Sequence, residues 1–214
     1  LAQIIKGYVS NGGFLFAMCS ATDSFEIALA TSAVDAAHVV YDGTPVANQL
    51  MKKVDFSKTL AFNNFEIITD PMIYEYSDID YPPSNNVIVR GAEADYFSLF
   101  EFSAKYDPVP TMLTQNHVGI IKGFMGQTTG FHRDKIKKHI LIMGEDKTTP
   151  QVKYLHGNFG QGTFTFLGGH DPEDYQHFVG DPQTDLSLHR NSPGYRLILN
   201  NILFPAARKK ERKT

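Results

Sequence analysis

The sequence predicts an α/β fold with a mostly parallel sheet, and two observations carry that prediction. Residues 1–18 read as an amphipathic helix, two glycines and an apolar strand, and a helix-start signal follows directly. An uninterrupted apolar run is typical of a strand buried on both faces of a parallel sheet, and alternation of such strands with helices is the pattern of α/β proteins. The 214 residues, 42% of them hydrophobic, are enough to bury a sizeable core.

The first three elements follow from the positions of the apolar residues. One face of the first helix is formed at helical spacing by Leu1, Ile4, Ile5, Tyr8 and Val9. Gly12-Gly13 ends this helix, because glycine accepts the left-handed geometry of a C-cap. The strand is predicted over Phe14–Met18. The second helix is predicted to begin near Asp23, with Glu26 closing a capping box, and to reach about Ala30.

The middle of the chain predicts less regular structure. Residues 31–60 are predicted to be helical in part, and Phe65–Thr69 is a candidate strand. From Met72 to Asp107 the chain is rich in Tyr, Asp, Pro and Asn, which predicts an irregular excursion at about 70–110. Short strands are expected within it, near 87–89 and 96–102.

The second half returns to clear elements. Strands are predicted near 111–113, 118–122 and 140–143, and a hairpin is predicted from Val152–His156 and Thr163–Leu167. The last helix has Ser192 as N-cap and Pro193 at its first position, and is expected to reach about Ala207. We therefore expect one α/β domain over 1–207 and a basic, solvated tail over 208–214.

Composition limits the function classes. A net charge of −3 gives no support for a nucleic-acid partner, and no apolar run approaches the ~18–20 residues of a membrane span. A single cysteine excludes internal disulfides and a cysteine-rich zinc site. We expect a small-molecule substrate and no cofactor, and leave a homo-oligomer open. Because the sequence starts at Leu1, already inside a helical pattern, we expect an N-terminal part to be missing, and both cytoplasmic and exported locations stay open.

Cys19 is the first candidate for chemistry. It lies between a buried strand and a helix start, where the helix N-terminus directs free N–H groups and the positive end of its dipole at the side chain. Such a field favours the thiolate, which is the nucleophilic form, and the N–H groups near Ser20 could hold an oxyanion. A free cysteine is also among the most buried residue types, so a purely structural role is the alternative.

A second candidate is the acidic, glycine-containing segment 168–174 after an apolar strand, where α/β proteins place ligand-binding loops. Gly168 and Gly169 allow a sharp turn and a close approach of substrate. His170 is a candidate base for Cys19, and its ring would be oriented by a neighbouring carboxylate. The acidic candidates in this segment are Glu173, Asp171 and Asp174.

Two further patterns carry weaker predictions. His170, Asp171, Glu173 and His177 could cluster around a metal, but the spacing matches no recognised ligand signature, and no metal site is predicted. The glycine-rich segment 123–130 lacks the Lys-Ser/Thr ending of a phosphate-binding loop, so it does not predict a nucleotide site. His117, just before it, is a candidate substrate-binding residue.

The order of helix, Gly-Gly, buried strand, Cys19, helix and late His170 resembles the class I glutamine amidotransferase-like superfamily. The resemblance implies a flavodoxin-like three-layer sandwich in which Cys19 attacks an amide and His170 completes the site with an acid. Two residues separate His170 from Glu173, where the amidotransferase pair has one, so the acid partner stays open.

The stretch G-T-F-T-F-L-G-G-H-D-P-E-D-Y and the closing helix resemble the ThuA-like (trehalose utilisation) branch of that superfamily. Cys19–Ser24 and Gly168–His177 also resemble bacterial proteins that carry the name asparagine synthetase B. The chain has neither an N-terminal cysteine nor the Ser-Gly-Gly-X-Asp-Ser loop that glutamine-hydrolysing asparagine synthesis needs. The leading hypothesis is an amide hydrolase or amidotransferase-like domain. The alternatives are a non-catalytic carbohydrate- or small-ligand-binding module and, third, a metal-dependent hydrolase.

Overall fold

The computed structural model describes residues 1–73, 75–81, 96–99, 118–125, 128–173, 180–203 and 205. The helices are α1 (Ala2–Ser10), α2 (Ser20–Ala30), α3 (Val39–Asp42) and α4 (Pro193–Leu203). The strands are β1 (Phe14–Met18), β2 (Phe97–Leu99), β3 (Ile120–Ile121), β4 (Phe124–Met125), β5 (Phe131–His132), β6 (Leu141–Glu145), β7 (Gln151–Phe159), β8 (Gly162–Leu167) and β9 (Asp171–Pro172). Short 3-10 turns lie at Leu50–Lys52, Phe56–Lys58, Arg133–Lys135 and Leu186–His189.

The main sheet has seven strands in the order β1-β8-β7-β6-β2-β3, with β5 also paired to β7. Only β1 and β8 run parallel among the described pairings, with Met18 opposite Leu167. The α/β prediction is confirmed. The mostly parallel, flavodoxin-like sheet is wrong for the described residues, because β7 and β8 are joined by the two-residue turn Gly160-Gln161, and so short a connection permits only antiparallel pairing.

A hydrophobic core lies on each face of the sheet, because side chains alternate along β1 and β8. Leu15 and Ala17 of β1 belong to one core, where residues of α1 and α2 also pack. Phe16 and Met18 point to the other core, which α4 covers. In α4, Asn201 donates to the Tyr154 hydroxyl at 2.7 Å and ties the helix to β7.

The predicted bounds of β1 are confirmed, but the predicted start of α2 is wrong. The helix begins at Ser20, with Cys19 as its N-cap residue, so Asp23 lies inside the helix and cannot be the N-cap of a capping box with Glu26. Glu26 instead accepts hydrogen bonds from the backbone N–H groups of Leu60, Ala61 and Phe62 at 2.9–3.1 Å.

The predictions for the remaining elements are confirmed only in part. The β7–β8 hairpin and the start of α4 at Pro193 are confirmed, although α4 ends at Leu203. Residues 65–69 form no strand, only an isolated bridge between Ile67 and Ser77. The predictions at 87–89 and 111–113 and the basic tail lie outside the described residues. Over the part of the chain that the structure describes, none of the helices is long and apolar enough to cross a membrane.

Candidate active site

Cys19 forms a strained turn between β1 and α2. Its φ of 54° and ψ of −140° fall in a region that side-chain-bearing residues rarely adopt. Its backbone N–H donates to the Leu167 carbonyl at 3.0 Å, which extends the parallel pairing of β1 and β8 by one bond. Its carbonyl accepts from the amide and the hydroxyl of Thr22 at 3.0 and 2.7 Å. The turn is thus held on both sides, as a strained backbone requires.

The Cys19 thiol is buried and has three polar neighbours. The His170 ring forms a side-chain hydrogen bond with it, and the backbone N–H groups of Thr128 and Ser20 donate toward the sulfur. Burial alone would raise the pKa of the thiol. These three hydrogen bonds and the charge of the His170 ring together outweigh burial, so the pKa of Cys19 lies below its usual range. The structure thus brings the Cys19 thiol and the His170 ring together, and their catalytic roles stay predictions.

Two glycines bring His170 to this position after β8. The Gly168 amide donates to the Lys153 carbonyl and the Gly169 amide to the Thr128 carbonyl, each at 2.7 Å. A Cβ on Gly168 would lie 2.7 Å from the Thr129 carbonyl oxygen, and Gly169 has a φ of 79°. Both positions need glycine, and the turn leaves the His170 side chain exposed to solvent.

Residues 123–125 and 128–130 of the glycine-rich segment lie beside the His170 loop. Phe124 pairs with Pro172, and Met125 with Asp171, as the antiparallel ribbon of β4 and β9. The Glu173 amide donates to the Gly123 carbonyl at 2.9 Å. This segment therefore supports the site through Thr128. The sequence did not indicate that role for Thr128, since no spacing rule connects it to Cys19.

The acid partner of His170 stays a prediction. Glu173 has a φ of 62°, and its carboxylate lies 3.8 Å from Nδ1 of His189. Asp171 is described by its backbone alone, and His117 and Asp174 lie outside the described residues. Within the described residues, no three His, Cys, Asp or Glu side chains are arranged to hold a metal ion, and His177 lies outside them.

A buried polar cluster lies behind the 128–130 segment. Asp23, Asp80 and Lys153 are at most 2% exposed. The Thr128 hydroxyl is 3.5 Å from Oδ1 of Asp23, and the Lys153 ammonium donates to the Thr129 carbonyl. Among the described atoms, neither carboxylate oxygen of Asp80 has a partner in hydrogen-bond geometry.

Burial sets the protonation of the two acids in this cluster. It raises the pKa of Asp23 to about 7 and that of Asp80 to about 8. The Asp23 charge raises the pKa of Asp80 further, while the Gly130 amide and the Lys153 charge lower it in part. Sequence reasoning missed this cluster because its members are more than fifty residues apart along the chain.

A cavity of about 550 Å³ lies along the outer face of α2. Ser24, Ile27 and Thr31 of α2 form one wall. Two tyrosines, Tyr41 and Tyr76, also line it. Its volume is in the range of small-molecule sites.

No family model, no curated protein and no solved structure matches this chain. The function has therefore to be argued from the residues themselves.

Proposed function

We propose that this chain is a cysteine-dependent amide hydrolase of the glutamine amidotransferase type, with Cys19 as nucleophile and His170 as base. The observation that carries the proposal is the hydrogen bond between the Cys19 thiol and His170 at a strained strand-to-helix turn. A nucleophile and a base within hydrogen-bond reach are the minimum for covalent catalysis.

The first half of the reaction forms a thioester. His170 takes the thiol proton, and the Cys19 sulfur attacks the carbonyl carbon of a primary amide, so that a C–S bond forms and the carbonyl electrons move to oxygen. When the oxyanion collapses, the C–N bond breaks and the nitrogen takes the proton from His170 to leave as ammonia. Exposure of His170 suits this exchange, because the ring must reach the leaving group.

The second half regenerates the thiol. His170 takes a proton from water, and the hydroxide attacks the thioester carbon. The C–S bond breaks, and the sulfur recovers its proton from His170. The balance is amide plus water to carboxylic acid plus ammonia.

Two backbone N–H groups support the charged species of this cycle. The Ser20 amide is at the N-terminus of α2, where the helix dipole favours negative charge, and the Thr128 amide approaches from the opposite segment. Both donate toward the thiolate in the resting site. The same groups are available to an oxyanion formed on the adjacent carbon.

The test is covalent trapping followed by hydrolysis. The wild-type chain should be labelled at Cys19 by an electrophilic glutamine analogue and should release ammonia from small primary amides. Cys19→Ala should lose both activities, and His170→Ala should slow labelling at pH 7 by about 100-fold, within the range for a general base.

His139→Ala, which removes an exposed histidine elsewhere, is the matched control and should behave as wild type. Equal labelling of the wild-type and His170→Ala chains would remove the support for a Cys–His pair.

The second candidate function is small-ligand binding without catalysis, which the cavity along α2 favours. Aromatic faces suit sugar rings, and Tyr41 and Tyr76 both line this space. Saturable binding of an oligosaccharide that is lost in Tyr41→Ala and kept in Cys19→Ala, together with no ammonia release, would favour this candidate. No binding to a panel of neutral sugars would count against it.

A further inference from the structure

Residues Thr128–Gly130 are fixed by three separate parts of the molecule. The Thr128 carbonyl accepts from the Gly169 amide at 2.7 Å, and the Gly130 carbonyl accepts from the Tyr81 amide at 2.9 Å. Between them, the Thr129 carbonyl accepts from the Lys153 ammonium. Three consecutive carbonyls thus bind the His170 loop, the segment after Asp80, and strand β7.

The middle bond of the three is the unusual one. Lys153 is fully buried, and burying an ammonium group is costly unless it is paired and hydrogen-bonded. A neutral side chain would fill the same space at less cost. The Asp80 carboxyl and this cation interact electrostatically, and the Gly130 amide is directed toward the carboxyl without reaching hydrogen-bond geometry. A buried cation with a hydrogen-bonded backbone carbonyl is a fixed anchor for that backbone.

The anchored segment begins at the residue whose amide faces Cys19. The main influences on the pKa of the thiol are its burial, the His170 ring, and the Thr128 and Ser20 amides. Lys153 bonds to the residue next to Thr128, so it can act on the thiol through the position of this backbone.

We propose that Lys153 is a positioning residue for the Cys19 site. Its ammonium fixes the Thr129 carbonyl, and this bond aligns the Thr128 amide with the Cys19 sulfur and the Thr128 carbonyl with the His170 loop. The inference rests on the proposed function for its catalytic meaning, but its test needs no substrate.

The experiment is alkylation of the full chain by iodoacetamide between pH 5 and 10. Cys19 is the only thiol, so the rate profile reports the pKa of this one group. Lys153→Met should raise that pKa by about one unit and slow alkylation at pH 7 about tenfold, because the thiolate fraction falls tenfold per unit. Asp80→Asn keeps the Lys153 bond and should leave the rate within about twofold.

Lys137→Met is the matched control. Lys137 also donates to two backbone carbonyls, those of Phe56 and Thr59, but these lie outside the Cys19 site. This variant should keep the wild-type alkylation profile whatever its effect on stability.

Each outcome has a defined meaning. A folded Lys153→Met with the wild-type profile overturns the proposal, and so does an Asp80→Asn profile that matches Lys153→Met. If Lys153→Met does not fold, the alkylation profile of the double variant Lys153→Met with Asp80→Asn, which buries no charge here, is measured instead. If neither variant folds, Lys153 is a structural residue, and the proposal is overturned. An ordinary thiol pKa in the wild type counts against the proposed function instead.

Discussion

Helix α2 borders two regions that satisfy their buried polar groups very differently. Around Glu26, both carboxylate oxygens are bonded: Oε1 accepts from Leu60, and Oε2 from Ala61 and Phe62. Around Cys19, the backbone is strained, and among described atoms the buried Asp80 carboxylate has no hydrogen bond. We call these the Glu26 region and the Cys19 region.

The comparison shows which signals indicate a functional site. Burial raises the pKa of Glu26 to about 7 and that of Asp80 to about 8, so a raised pKa does not distinguish the two regions. Backbone strain and unsatisfied polar groups do, because both cost free energy and persist only where the surrounding structure holds them. They occur together in the Cys19 region, which is why we propose this region as the functional site.

Glu26→Ala should have the largest effect on stability. Three buried amides would lose their acceptor, and each such group costs about 1–3 kcal/mol, so the free energy of unfolding should fall by about 4 kcal/mol at pH 6. Urea denaturation measures the change. Alkylation of Cys19 should be unaffected in the folded fraction, because the Glu26 carboxylate bonds to the amides of residues 60–62 and not to the turn at Cys19.

Glu66→Ala, at an exposed position, is the control and should change stability by less than about 0.5 kcal/mol. A loss of no more than this in Glu26→Ala would contradict the structural role of the Glu26 region.

Asp80→Asn should raise the free energy of unfolding, where Glu26→Ala lowers it, and the size of this increase should depend on pH. The folded-state pKa of about 8 lies above the ordinary value of 3.8, so the contribution of Asp80 to stability is present in full below about pH 4 and lost as the pH rises through 8. The variant should therefore gain about 1–2 kcal/mol over wild type at pH 5 and on the order of 5 kcal/mol at pH 9. Denaturant titrations at the two pH values measure the difference.

The wild-type chain should itself lose stability between pH 5 and 9, because Asp23 and Glu26, with pKa values of about 7, titrate in the same direction. Asp185→Asn is the control: the Ser187 hydroxyl and amide lower the pKa of this exposed carboxyl, so the difference from wild type should be the same at pH 5 and pH 9 and should disappear only at acid pH. An Asp80→Asn variant with the wild-type pH dependence would show that Asp80 does not titrate in this range.

Local patterns predicted the Cys19 region well. β1 begins and ends where its apolar run does, and the two glycines before His170 are required by close approach and by a positive φ. Cys19 and His170 could be paired from sequence because each follows the end of a strand, and these two strands are neighbours in parallel.

Contacts between residues far apart in the chain could not be predicted from local sequence patterns. The short turn between β7 and β8 makes this pair antiparallel. The helix–strand–helix pattern of the first thirty residues had predicted a mostly parallel sheet. The Asp23–Asp80–Lys153 cluster gives no local signal, because buried charges look like surface charges in sequence. The capping box predicted for Glu26 is wrong because the predicted N-cap, Asp23, lies four residues after the observed one, Cys19.

Gly168→Ala tests how rigidly the Cys19 region is held. The new Cβ would lie 2.7 Å from the Thr129 carbonyl oxygen, a backbone atom that the Lys153 ammonium fixes. The free energy of unfolding should fall by about 2 kcal/mol, as is usual for overpacking, and alkylation of Cys19 should slow. Gly7→Ala is the control, because its Cβ meets nothing within 4 Å in helix α1, and it should stabilise by about 0.5–1 kcal/mol. Equal stability of both variants would mean that the backbone at Thr129 moves to make room for the new Cβ and is not rigidly held.

The smallest effect isolates the strain itself. Cys19→Ala and Cys19→Gly both remove the thiol, so their difference in stability reports only the backbone at φ 54° and ψ −140°. Glycine adopts this conformation without steric cost, so Cys19→Gly should be the more stable by about 1 kcal/mol. At Ala28, exposed within the same helix, glycine should instead cost about 1 kcal/mol relative to alanine. If glycine is destabilising at both positions, the turn stores no strain, and the Cys19 region loses one of the two features that separate it from the Glu26 region.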